Sequence, residues 1–229
     1  MTNPTESLSS SLTVDCVIFG LDASSRLKVL LIQRGHEPFE GAWALPGGFV
    51  AKYEPLEDAA SRILREETGV SDVFIEQLYT VGTPNRDPRG RVVTVVYYAL
   101  INLVEQSTAT KSDNKAVEWY PIDNLPQLAF DHADIMKMAI QRLRGKVRYQ
   151  PIGFELLPES FTLTQLQNLY ETILGKELNK RNFRTKILKM DILKEGSILR
   201  GVAHRPAQLY RFDEAKYQDY VKRGFNFEL

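Results

Sequence analysis

Carboxylates and arginines recur at fixed intervals between Gly48 and Val70. Five residues separate Gly48 from Glu54, and seven separate Glu54 from Arg62. Ile63, Leu64, Arg65, Glu66 and Glu67 follow, and Gly69-Val70 closes the stretch. Pro55 suits the first turn of a helix, and Glu57 and Asp58 suit its positive end. The stretch therefore reads as loop, helix, loop. On that helix position 63 shares a face with 66 and 67, three and four residues on. Three carboxylates there would form a cage for a hard cation such as Mg2+, which takes oxygen ligands and bridges to substrate phosphates. The chain supplies Glu66 and Glu67, but Ile63 brings no ligand oxygen. Glu54 is placed to orient the pair. Pro46-Gly47-Gly48 is expected to be a turn that lets the backbone approach a phosphate.

Such a constellation needs a scaffold. Leu12–Leu21 and Lys28–Gln33 read as strands joined by a polar turn. Val73–Val81, Val92–Asn102 and Ala116–Ile122 read as further strands, rich in β-branched and aromatic residues. Between the first two of these lies Gly82–Gly90, a loop dense in Arg, Pro and Gly. Ile135, Met136, Ala139, Ile140 and Leu143 form a helical stripe after Leu125–His132. Strands, a central helix, more strands and a closing helix make an α+β sandwich.

Past Gly145–Pro151 the pattern changes. Thr162-Leu163-Thr164-Gln165 is a capping box opening a helix, and Gly175 is its stop. Asn179 caps a second helix, in which Phe183, Ile187 and Met190 form the buried stripe with Leu188. Its outward positions are Lys180, Arg181, Asn182, Arg184, Thr185 and Lys189. Strands Ile192–Leu199 and Gln208–Phe212 flank a tip that includes Arg205, and the helix Glu214–Lys222 follows. Helix, turn, basic helix and ribbon outline a winged helix-turn-helix. Its second helix offers arginine for guanine, asparagine for adenine and lysine for phosphates in the major groove.

Composition fits this division. Residues 1–147 hold 15 Lys and Arg against 19 Asp and Glu, whereas 148–229 hold 14 against 10. A basic segment on a neutral chain suits a polyanionic partner. The single Cys16 excludes an intramolecular disulfide and suits a reducing compartment. No apolar run reaches membrane-spanning length. The polar N-terminus has no signal-peptide pattern and reads as a short arm. The expected organisation is an arm over 1–11, a first domain over 12–147 and a DNA-binding domain over 148–229.

The Gly48–Val70 stretch resembles the Nudix box, G-x5-E-x7-R-E-U-x-E-E-x-G-U with U aliphatic, at every position except Ile63, where the box has Glu. Two further stretches, Asn85–Arg91 and Leu128–His132, resemble the substrate loops of ADP-ribose-cleaving Nudix proteins. Lys180–Arg184 and Arg205–Phe212 resemble the DNA-binding elements of the Nudix-related regulators of NAD metabolism, the NrtR family. That resemblance implies a mixed-sheet α/β/α Nudix sandwich followed by a winged helix. It also implies a bacterial, cytoplasmic homodimer that binds a double-stranded, palindromic DNA operator and represses genes of NAD synthesis or salvage. ADP-ribose, or a related NAD derivative, would be its effector. On this reading Arg34, Arg86 and Arg89 face the phosphates, Phe49 or Phe130 stacks on adenine, and Asp87 or His132 bonds a ribose hydroxyl. With Ile63 in the degenerate box (Gly48, Glu54, Arg62, Ile63, Glu66, Glu67), no catalytic residue is expected. No cofactor is required, and Mg2+ is held at most weakly at Glu66 and Glu67. The alternative is a working ADP-ribose pyrophosphatase with an accessory basic domain, its cage completed by another carboxylate such as Glu118.

Overall fold

The computed structural model describes residues 10–71, 73–103, 116–199 and 206–224. The chain falls into two compact units, the first drawn from Met1–Phe19, Lys28–Leu100 and Thr108–Ala139, the second from Gly20–Leu27, Ile101–Ser107 and Ile140–Leu229. The arm expected over 1–11 lies outside the described residues up to residue 9, and Ser11 already belongs to a strand.

The first unit is built on a seven-stranded mixed sheet. Strand β1 (Ser11–Leu21) and strand β6 (Val92–Asn102) are its centre, flanked by β2 (Leu27–Gln33) with β3 (Trp43–Ala44) on one side and β5 (Glu76–Val81) on the other. Strand β4 (Gly47–Phe49) pairs with β1, and β7 (Val117–Pro121) pairs with β2. The sequence explains the order. β1 and β6 are near-continuous apolar runs buried along most of their length, as central strands covered on both faces must be. At the edge, β5 exposes half of its residues and buries only Leu78.

Helix α1 (Leu56–Thr68) begins after Pro55 and ends at Gly69, whose φ of 74° lets its N–H reach back to the Arg65 carbonyl. Its buried stripe is Ala59, Ala60, Ile63, Leu64 and Thr68. Ile63 is thus a core residue. Helix α2 (His132–Lys146) buries Ile135, Met136, Ala139 and Leu143 of the expected stripe and leaves Ile140 half-buried. The lone Cys16 is buried and free, and burial pushes its thiol pKa up.

The second unit holds a three-stranded sheet ordered β8 (Phe161–Thr162), β10 (Ala207–Phe212), β9 (Leu193–Leu199). Its helices are α3 (Leu163–Leu174), α4 (Lys180–Lys189) and α5 (Glu214–Lys222). Phe154 stacks on Phe212 at 4.4 Å and meets Phe161 at 5.5 Å, and Tyr170 meets Phe183 at 5.5 Å. The Thr162 hydroxyl accepts the Gln165 N–H at 3.1 Å, and the Gln165 side chain accepts the Thr162 N–H at 2.8 Å. Thr162→Ala should therefore cost about 1 kcal/mol, read from the urea midpoint of the whole chain. One expectation needs correcting: Leu188 is 45% exposed, because it lies about 100° round the helix from the Phe183–Ile187 stripe. Among the described residues no helix is long and apolar enough to cross a membrane.

Candidate functional site

Strand β2 ends at Gln33, and the loop that begins with Arg34 closes on itself. The Arg34 N–H donates to the Ala42 carbonyl at 2.9 Å, and the Gly41 N–H donates back to the Arg34 carbonyl at 2.8 Å. The segment before α2 is held beside β3 by a parallel bridge between Trp43 and Leu128 and by the Ala129 N–H bonded to the Trp43 carbonyl at 2.8 Å. That places Phe130, in the left-handed region at φ 53°, and His132 beside the end of β2. A cavity of about 220 Å³ opens there. Its wall carries all the effector residues expected from sequence: Arg34, Phe49, Arg86, Asp87, Arg89, Phe130 and His132. Asp15, Thr13, Leu45, Gly47, Gly48 and Glu67 also line it.

The arginines differ in what they can do. Arg86, 5% exposed in its side chain, gives two bonds to Asp131 at 2.7 and 2.8 Å and one to Asp15 at 3.3 Å. Burial opposes its charge, but these two carboxylates more than offset that and raise its pKa. Arg86 is thus a buried brace between β1 and the start of α2. It lines the cavity as the sequence expectation has it, with its fork already engaged by these two carboxylates. Arg89 lies over the Phe49 ring at 5.2 Å and the Phe130 ring at 5.8 Å, and donates to Asp87 at 2.6 Å. That bond holds the Asp87 carboxyl below the usual range. Arg34 lies over the same Phe130 ring at 4.8 Å, and its Nε donates to the Pro38 carbonyl at 2.8 Å. Phe130 also packs against the core cluster of Ile32, Ala44 and Ala129, so it is both core and cavity wall.

His132 is 4% exposed, and its Nδ1 accepts the Leu45 N–H at 2.9 Å. Its neutral form then carries the proton on Nε2, which faces Asp15 Oδ1 at 3.7 Å. Burial lowers its pKa, outweighing the neighbouring Asp15 and Asp131. A folded-state value below the ordinary imidazole value of about 6.5 means that the unfolded chain binds the proton more tightly. This contribution to stability is complete above about pH 6.5 and is lost as pH falls from there toward the folded value. His132→Asn keeps an acceptor for Leu45, so its melting temperature should fall less than the wild type's between roughly pH 6.5 and 5.

The box is organised differently from the sequence expectation. Arg62 grips Glu54 at 2.6 and 2.8 Å, Glu66 at 3.1 Å and the Phe49 carbonyl at 3.2 Å. Arg62's hydrogen bonds pull the Glu54 pKa down to about 2. Glu66 therefore serves Arg62, and of this pair it is Glu67 that lines the cavity. A Cβ at Gly48 would lie 3.1 Å from the Ile63 δ-methyl, and one at Gly47 would lie 2.2 Å from Asp15 Oδ1. The two glycines form a strand paired antiparallel to β1, and their smallness makes room for Ile63 and Asp15. Among the described residues no three His, Cys, Asp or Glu side chains come together as a metal set. With a buried Ile63, positions 63, 66 and 67 supply two carboxylates where a three-carboxylate cage needs three. Glu118, on β7, accepts the Tyr120 hydroxyl at 3.0 Å and is absent from the cavity wall.

Asp15 was the residue missed from sequence, although a signal existed. It is a single carboxylate in the otherwise apolar run Val14–Phe19, and it is 6% exposed.

In the second unit, α4 presents Lys180, Arg181, Asn182, Thr185, Lys186 and Lys189 to solvent. Asn179 caps it by accepting the Asn182 N–H at 3.0 Å. Arg184 departs from the expected outward set. It is half-buried and donates to the Thr164 hydroxyl on α3 at 3.0 Å, bracing one helix on the other. Arg205 lies outside the described residues.

Known proteins place this arrangement. Residues 10–141 match the NUDIX domain, and residues 153–212 match the NrtR DNA-binding winged helix domain. The chain is 41% identical over 220 residues, 94% of its length and 85% of the relative's, to the ADPR responsive transcriptional repressor NtrR of Acinetobacter baylyi. It is similar to the crystal structure of Shewanella oneidensis NrtR complexed with a 27mer DNA, with TM-score 0.76 and 41% identity, covering 88% of this chain and 93% of that one. The NUDIX domain of the same Shewanella protein complexed with ADP ribose gives TM-score 0.54 at 41% identity, over 62% of this chain and 93% of that one. With a NUDIX domain followed by an NrtR winged helix, the chain belongs to the NrtR family of Nudix-related regulators.

Proposed function

We propose that this protein is a sequence-specific transcriptional repressor of genes for NAD synthesis or salvage. It acts as a homodimer in the bacterial cytoplasm, and ADP-ribose or a related NAD derivative is its effector. The observation that carries this reading is a single chain with an arginine- and phenylalanine-lined cavity beside an incomplete Nudix box, followed by a capped basic helix with its polar side exposed. The Acinetobacter relative's ADPR-responsive repression and the Shewanella complexes with DNA and with ADP ribose support it.

The cavity binds its ligand without efficient cleavage. Pyrophosphate hydrolysis on this scaffold would need charge neutralisation and an activated water, each worth several kcal/mol when a metal supplies them. Ile63 is buried in the helix stripe, and Arg62 holds Glu66. At about 220 Å³ the cavity is smaller than most sites for whole ligands, so it encloses part of the nucleotide and leaves the rest outside.

The test mixes purified protein, ADP-ribose and Mg2+, then measures bound nucleotide and released AMP. Bound, intact ADP-ribose is expected. Prompt AMP release would establish the pyrophosphatase alternative, and neither binding nor release would remove the effector. For the DNA half, duplexes with a randomised centre should enrich a palindromic sequence, and adding ADP-ribose should change the enriched complex.

A further inference from the structure

The cavity is polar along its depth. At its rim Arg34 and Arg89 approach the same Phe130 ring, 4.8 and 5.8 Å from its centroid. Burial, and then repulsion from Arg89, lowers the Arg34 pKa, and an anion bound beside the two guanidiniums would favour their charged forms. The Arg89 side chain is 39% exposed, whereas that of Asp15 is only 8% exposed. Asp15 therefore forms the deep end, and Glu67 lines the same cavity.

Asp15 Oδ2 accepts from Arg86 at 3.3 Å, and Oδ1 lies 3.7 Å from His132 Nε2. An ionised carboxylate has about four lone-pair directions and only accepts. It can take further bonds from ligand hydroxyls, but it repels a phosphate. Resting on the effector reading above, we infer that Asp15 determines the specificity of the cavity. It admits a nucleoside diphosphate whose far end is a neutral, hydroxyl-bearing sugar, and it turns away one whose far end carries a further phosphate.

Calorimetry with two probes tests this: ADP-ribose, and ADP-ribose phosphorylated on its distal ribose. The wild type should prefer the first on the order of a hundredfold, because placing like charges together costs several kcal/mol. Asp15→Asn keeps an acceptor oxygen but removes the charge, and Arg86 keeps its two bonds to Asp131. The preference should shrink roughly tenfold, through tighter binding of the phosphorylated probe. Glu67→Gln should shift it the same way by less, and it serves if Asp15→Asn fails to fold. Equal binding of both probes by the wild type would overturn the inference and leave the effector reading standing. So would an unchanged preference in the folded variants. Binding of neither probe would overturn the effector reading and the inference with it.

Discussion

Replacing Arg86 with methionine should destabilise the protein by about 3–5 kcal/mol, because it leaves two carboxylates facing one another without their shared cation. Asp15 and Asp131 are only 8% and 20% exposed in their side chains, so water cannot take over the role of the guanidinium. Arg86→Lys should recover part of the loss, since a single ammonium cannot reproduce a planar fork that reaches both partners. Lys137→Ala is the control: its pair with Asp134 is 73% and 74% exposed, and its loss should cost less than about 1 kcal/mol. Urea unfolding at neutral pH reads all three. ADP-ribose binding should disappear with Arg86→Met, because the same side chain fixes Asp15 and the segment carrying Phe130 and His132. A variant that melts like the wild type yet loses ADP-ribose binding would show that Arg86 serves the ligand's phosphates instead, and one that keeps both would remove the brace.

The second large effect lies on α4. Arg181→Ala with Asn182→Ala should weaken binding to the enriched duplex by roughly a hundredfold or more, as each removes a side chain able to bond a base edge in pairs. Both residues are exposed, so melting temperature and ADP-ribose affinity should stay near wild type. Arg184→Ala should behave otherwise. It removes the bond to Thr164, so thermal stability should fall along with duplex affinity. Unchanged duplex affinity in the Arg181/Asn182 variant would move the DNA contact off this helix.

These two cases mark how far residue patterns reach. The Thr162 capping box, the Gly175 helix stop, the α5 limits and the central strands β1 and β6 were all legible. Each depends on residues within a few positions, or on an unbroken apolar run. The short strands β3, β4 and β8 were not, because two or three residues carry no period. Arg86, Asp87, Arg89, Phe130 and His132 were named from loops that resemble those of ADP-ribose-cleaving proteins, and Arg34 and Phe49 from the chemistry of the expected ligand. That segments around 34, 49, 86 and 130 meet at one place is a property of the folded sheet.

By itself the sequence determined the helices, the caps of α3 and α4, the limits of α5, the order of the two parts and the missing carboxylate at Ile63. Tertiary structure alone decided which charges meet. Arg86 finds Asp131 and Asp15 across 45 and 71 residues, and Arg184 finds Thr164 across 20. Capping and periodicity act through neighbours along the chain. A buried charge is satisfied by whichever opposite group the fold brings within a few ångströms, and no local pattern specifies that partner.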